Sequence, residues 1–138
     1  MFFIVLFVIQ KIMCYIDNVY NRQIARINMR KTLLIDLDGV LNDYVGNYDK
    51  NFIPPIKFGA KEFLEDLSKN YQVKIFTTRD KNLASKWVSE NGLSELIVGI
   101  TNVKEPCWVY VDDRCITFDG NFEGLIDKID NFKPYYKM

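Results

Sequence analysis

The chain has 138 residues, enough for one domain around one hydrophobic core. Lys plus Arg and Asp plus Glu each number 18, and no basic run supplies a polyanion-binding stripe, which argues against a nucleic-acid partner. There is no histidine, which removes Ser-His-Asp and Cys-His catalysis and imidazole-ligated metal sites.

In chain order, Phe2 to Ile9 is a continuous apolar run, broken by Lys11 and continued less regularly by Ile12, Met13, Tyr15 and Ile16. The run is far shorter than the roughly 20 residues that span a bilayer. No Lys or Arg precedes it and no small-residue cleavage pattern follows, against a signal peptide. Three readings stand. The segment is a short hydrophobic or membrane-surface helix, a weak anchor acting through residues 2–16, or an extension upstream of a domain that begins at Met29. The last is favoured, because Met29-Arg30-Lys31 leads straight into a strand. The expected organisation is an extension over 1–28 and one domain over 29–138, with no firm membrane partner.

Thr32 to Ile35 reads as a buried strand that stops in the polar turn Asp36-Leu37-Asp38-Gly39. Residues 42–55 are rich in Asn, Asp, Tyr and Gly and read as a loop or small hairpin. From Gly59 onward, Ala60, Phe63, Leu64 and Leu67 recur at helical spacing. Val73 to Phe76 is a second strand, ending in Thr77-Thr78-Arg79-Asp80. Asp80 caps a helix with Leu83, Ala84, Trp87 and Val88 on one face, and Asn91-Gly92 stops it. Leu96 to Ile100 reads as a third strand and Trp108 to Val111 as a fourth, ending in Asp112-Asp113-Arg114. Phe122, Leu125, Ile126 and Ile129 form the apolar face of a last helix. Strands alternating with helices predict a parallel sheet covered on both faces. Trp87, Trp108 and Cys115 read as core residues. Cys14, Cys107 and Cys115 have no Cys-x-x-Cys spacing, so neither a disulfide framework nor a zinc site is expected. The sparse set predicts a reducing, cytoplasmic setting.

Polar groups collect at strand ends: Asp36 and Asp38, Thr77, then Asp112 and Asp113, with Lys104 on the approach to the last. In an open parallel sheet these positions converge beyond the carboxyl ends of the strands. Crowded carboxylates need a cation or a proton, and oxygen ligands suit Mg2+. Asp36 is placed to attack phosphorus as a carboxylate nucleophile. Asp38 is placed to protonate the leaving oxygen and then deprotonate a water. Thr77 and Lys104 are placed to hold the phosphoryl oxygens. Arg79 and Arg114 suit substrate contact or ion pairs with the nearby carboxylates equally.

Leu33-Leu34-Ile35-Asp36-Leu37-Asp38-Gly39-Val40 resembles the first motif of the haloacid dehalogenase superfamily. Ile75-Phe76-Thr77-Thr78-Arg79 resembles the second, Lys104 fits the third, and Val111-Asp112-Asp113 the acidic fourth. The resemblance covers residues 33–113, in order. It implies a Rossmann-like α/β fold, Mg2+ and phosphomonoester hydrolysis. It further implies Asp36 as nucleophile and metal ligand, and Asp38 as acid/base with its backbone carbonyl on the metal. Thr77, Thr78 and Lys104 would bind the phosphoryl group. Asp113 would ligate the metal directly, while Asp112 orients a metal-bound water or Lys104.

Only 38 residues separate Asp38 from Thr77 and 26 separate Thr77 from Lys104. Family cap domains are inserted there, so a capless member is expected. An open site suits a large or extended substrate, or closure by another subunit of a homo-oligomer. Residues 42–55, with Tyr44, Tyr48 and Phe52, are placed to form a flap. The rivals are a phospho-accepting receiver-like module, whose acidic pair comes first rather than last, and a catalytically silent phosphate-binding domain.

Overall fold

The computed structural model describes residues 2–138. Met1, the first residue of the expected extension, lies outside the described residues, as do the side chains of residues 2–4, 27 and 28. The chain divides into two compact units, Met1–Arg30 and Lys31–Met138.

The first unit is one helix, α1 (Phe2–Asn28), 27 residues long. The helix continues well past the apolar run. Leu6, Phe7, Ile9, Ile12 and Ile16 on it are exposed. Among the described residues, no helix is long and apolar enough to cross a membrane.

The second unit is built on β1 (Thr32–Asp36), α2 (Ala60–Ser68), β2 (Gln72–Phe76), α3 (Lys81–Glu90), β3 (Gly99–Thr101), β4 (Val109–Val111) and α4 (Leu125–Asp130). All strand pairings are parallel and the order is β3-β2-β1-β4. The fold is therefore α/β and Rossmann-like, a parallel sheet with helices around it. Alternate residues Leu33, Ile35, Val73 and Ile75 enter a core shared with Ala60 and Leu64 of α2 and Ala84, Trp87 and Val88 of α3. The period-2 pattern of the strands thus meets the 3.6-residue pattern of the helices on one face. The opposite face carries Lys74 and Tyr110, both bonded to Glu105 of the 102–108 segment.

Local signals explain most boundaries. Asp80 caps α3 by accepting from the backbone N–H groups of Asn82 and Leu83, at 2.9 and 3.0 Å. Trp87 is core, and its indole N–H donates to the Pro54 carbonyl at 2.9 Å. The 42–57 segment is a loop with isolated antiparallel bridges, Asn42 to Ile56 and Asp49 to Phe52.

Several expectations are corrected. The third strand is Gly99–Thr101 rather than Leu96–Ile100. Leu96 and Ile97 pack on the core from within the turn that follows α3, so their apolar character serves packing and not pairing. No residue of α4 is buried, and Ile126 is 71% exposed. Trp108 is exposed, with the Lys31 ammonium over its ring, and Cys115 is exposed too.

These differences in burial have a measurable consequence. Leu64→Ala should destabilise the domain by about 2–5 kcal/mol, because a fully buried leucine leaves a cavity. Ile126→Ala should change stability by no more than about 0.5 kcal/mol. Urea unfolding of the two variants checks both, and equal losses would contradict the exposed position of α4.

Candidate active site

The site lies where the chain reverses direction across the sheet. From β1 the chain moves outward through β2 to β3, then returns to β4 on the other side of β1. Ligands of open parallel sheets bind at such switch points, beyond the carboxyl ends of the strands. Ile35 pairs with Val111, so Asp36 and Asp112 leave adjacent strands at the same level.

Asp36, Asp112 and Asp113 each offer a carboxylate oxygen within 4.8 Å of the others. Burial is the main cause that pushes the Asp36 carboxyl up from 3.8 to about 7. The charge of Asp112 adds to it, a bond from the Leu37 N–H opposes it, and Asp113 and Asp38 raise it further. Asp112 accepts from the Arg114 N–H at 2.7 Å. Oδ2 of Asp113 is buried and accepts no hydrogen bond, although the Tyr136 side chain stands beside the carboxylate, so this oxygen is open to a cation or a proton. Carboxylate oxygens are the ligand type that small hard cations such as Mg2+ take. The donor set, the mutual repulsion and the orphaned oxygen all fit a small hard dication.

The 37–41 turn that follows Asp36 is tight, with the Asn42 N–H donating to the Leu37 carbonyl at 3.2 Å. Gly39 sits inside it at φ +85°, and a Cβ there would stand 2.7 Å from Oδ2 of Asp113. Glycine is required on both counts. The turn is less polar than its sequence, because Leu37 and Leu41 are both buried.

Asp38 does not join the carboxylate cluster. Its Oδ1 accepts from the Asn42 amide at 2.9 Å and its Oδ2 from Nε of Arg79 at 2.6 Å. Arg79 is only 2% exposed. Its Nη1 donates to the carbonyls of Asp49 and Phe52, at 2.7 and 2.9 Å. Arg79 thus makes the ion pair and fastens the 42–57 loop beside the site. Thr77 is buried at the end of β2, and its hydroxyl accepts from the Arg79 N–H at 3.2 Å. Thr78 follows it into the cleft.

A cleft of about 300 Å³ brings these groups together, with Asp36, Asp38, Thr77, Thr78, Asp112 and Asp113 on its walls. Tyr44, Tyr48, Phe76 and Arg114 complete the lining. Lys104 is not among the lining residues. The chain after β3 folds back over the sheet face, where Glu105 pairs with Lys74. That path leaves the Lys104 ammonium 5.3 Å from the Tyr110 ring centroid.

Sequence reasoning missed other contributors. Asn42 is fully buried, and its Oδ1 accepts from the N–H groups of Gly39 and Tyr44 while its amide holds Asp38. It reads as an ordinary loop residue. The Tyr135 hydroxyl donates to the Gly39 carbonyl at 2.7 Å, and the Tyr136 hydroxyl accepts from Arg114 at 3.1 Å. No local pattern marks partners so distant in sequence.

Fold and site together define an α/β protein with an acidic cluster at the switch point of its parallel sheet. No family model matches the sequence, and no curated protein matches it. A solved structure, that of a conserved protein coded by a locus from Bacteroides thetaiotaomicron, is similar with a TM-score of 0.51. It is 17% identical and the match covers 75% of this chain and 93% of that one. At that identity the likeness shows the fold.

The electrostatics of Asp36 give a pH signature. Its folded carboxyl holds a proton more tightly than the unfolded one, so the stability this provides is present at acid pH. It is lost as pH rises from about 4 to about 7. The difference between 3.8 and about 7 corresponds to on the order of 4 kcal/mol at most. Without divalent cations, Asp36→Asn should therefore become increasingly more stable than the parent between pH 5 and pH 8. Added Mg2+ should narrow that gap by stabilising the parent. Chemical denaturation across pH checks this, and a gap independent of pH would refute it.

Proposed function

We propose that this chain is a Mg2+-dependent phosphomonoester hydrolase that works through a phospho-aspartate on Asp36. The observation that carries the assignment is the meeting of Asp36, Asp112 and Asp113 within 4.8 Å at the switch point, beside a separately held Asp38. The order of the motifs, which resembles the haloacid dehalogenase superfamily, supports it.

Asp36, Asp112 and Asp113 would hold Mg2+, which supplies charge neutralisation and polarisation of a phosphoryl oxygen. An Asp36 oxygen attacks phosphorus and the ester P–O bond breaks, with its electron pair leaving on the alcohol oxygen. Asp38 gives that oxygen a proton. Water then attacks phosphorus, Asp38 takes the proton back, and the bond to Asp36 breaks to release phosphate. Both oxygens of Asp38 are engaged by Asn42 and Arg79, so each proton transfer works against the Arg79 contact. Arg79 is thus a positioning residue. Thr77 and Thr78 face the transferring group from the end of β2, and Arg114 brings positive charge to the cleft wall. The cysteines are all unpaired, which suits a reducing compartment such as the cytoplasm.

A second reading, phosphate binding without turnover, is favoured by one observation. The cationic side chain expected at the phosphoryl group, Lys104, lies over Tyr110 instead of lining the cleft.

Purified protein with an aryl phosphate and Mg2+ separates the two. Turnover should require the metal and fall by about 1,000-fold or more in Asp36→Asn, the scale for a unit whose nucleophile is removed. Acid quench during turnover should trap phosphate on the parent protein only. Equal activity in Asp36→Asn would sink the mechanism. Phosphate binding with no turnover across a panel of esters would establish the second reading.

A further inference from the structure

We propose that the cleft takes a nucleoside monophosphate, with its base stacked on Tyr48. This deepens the phosphatase assignment and rests on it for the phosphate end of the ligand. The acids, Thr77, Thr78 and Arg114 are occupied at that end. The lining then leaves Tyr44, Tyr48 and Phe76 for the leaving group.

The aromatic residues differ in availability. Tyr44 is buried, with its ring edge-on to Tyr136 at 6.2 Å, and Phe76 packs edge-on to Tyr110 at the same distance. Tyr48 is 57% exposed. The Arg79 guanidinium lies 4.7 Å from its ring centroid. That guanidinium is itself fixed by Asp38 and by the carbonyls of Asp49 and Phe52. A buried, clamped cation therefore backs one face of a ring that is otherwise open. The pairing orders Tyr48 before a ligand arrives, which lowers the entropy lost on stacking.

The chemistry left on this wall discriminates. A planar base offers a π-face to an aromatic platform. A sugar phosphate offers hydroxyl groups, which need several acceptors and donors. Beyond the phosphate end, the polar side-chain groups of the lining are the hydroxyls of Tyr44 and Tyr48. The cleft volume of about 300 Å³ is at the lower end of small-molecule sites, suited to one mononucleotide. The balanced charge of the chain offers no extended attraction for a polynucleotide.

The decisive comparison is adenosine 5′-monophosphate against ribose 5-phosphate, which has the same phosphate and sugar without the base. With Mg2+, kcat/KM should favour the nucleotide by about 5- to 150-fold, the worth of one stacked base. Tyr48→Ala should bring that ratio close to one, and Tyr48→Trp and Tyr48→Phe should preserve most of it. A parent ratio near one, or a ratio unchanged in Tyr48→Ala, would overturn the proposal. A higher kcat/KM for a 5′-phosphorylated dinucleotide than for the mononucleotide would also overturn it, in favour of polynucleotide ends. Calorimetry on Asp36→Asn with Mg2+ keeps the test independent of turnover. If the parent hydrolyses no ester but binding still favours the nucleotide through Tyr48, the phosphatase assignment fails and the base site stands. Equal binding of the two ligands removes the base site whatever the catalytic result.

Discussion

The parallel pairing of β1 with β4 is the constraint on which the site depends. It sets Ile35 against Val111, and the next residue on each strand is an aspartate. The core behind them, from Leu33 and Ile35 to Leu64 and Val88, holds the pairing from one face. Hydrophobic burial thus forces together carboxylates that repel, and part of the repulsion is visible in the raised Asp36. A chain selected for stability alone would not bury an acid against acids, or leave Oδ2 of Asp113 without a partner. A bound dication would relieve both features.

Arg79 organises the other side of the cleft. Its guanidinium is buried and joins the 37–41 turn, through Asp38, to the 42–57 loop, through Asp49 and Phe52. A buried charge keeps its place only while its partners do, because losing one leaves the other uncompensated. The loop is also fastened from behind by Trp87 on Pro54, and at its base by the Asp43 N–H on the Pro55 carbonyl. These bonds fasten it beside the cleft. Between β1 and β2 lie the 37–41 turn, the 42–57 loop and α2, and between β2 and β3 the helix is α3, so neither interval holds an inserted domain among the described residues. The aromatic side of the cleft comes from this loop and from β2.

The parts of this architecture that were legible in the sequence are those written in short windows. β1 and β2 follow from apolar runs, α3 from its period and its Asp80 cap, and the acidic positions from their place at strand ends. β3 was displaced because Leu96 and Ile97 have the composition of a strand but fill the core from a turn. The period of α4 was real, yet amphipathic spacing states only that a face is apolar. It does not supply a surface to cover it. Lys104, expected at the phosphoryl group, lies over Tyr110 and outside the cleft lining for a similar reason. Spacing fixes how far a residue stands from β4 along the chain, not which way the connection folds. The pairing of Glu105 with Lys74 decides that.

The least legible part is also the one closest to the chemistry. Asp36-Leu37-Asp38-Gly39 looks self-contained as a motif, but its geometry is set by distant residues. Gly39 has room for Asp113 against it only because it lacks a Cβ. Its carbonyl is held by the Tyr135 hydroxyl, 96 residues away. Tyr136 then packs edge-on to Tyr44, and its hydroxyl takes a bond from Arg114 beside the acidic pair. The segment Tyr135–Lys137 thereby touches the turn, the loop and the β4 end at once. Each contact is modest alone, since a neutral hydrogen bond contributes on the order of 1 kcal/mol. Their effect is geometric. They hold the turn, the loop and the β4 end against one another, and Asp36, Asp112 and Asp113 stand at the turn and the β4 end.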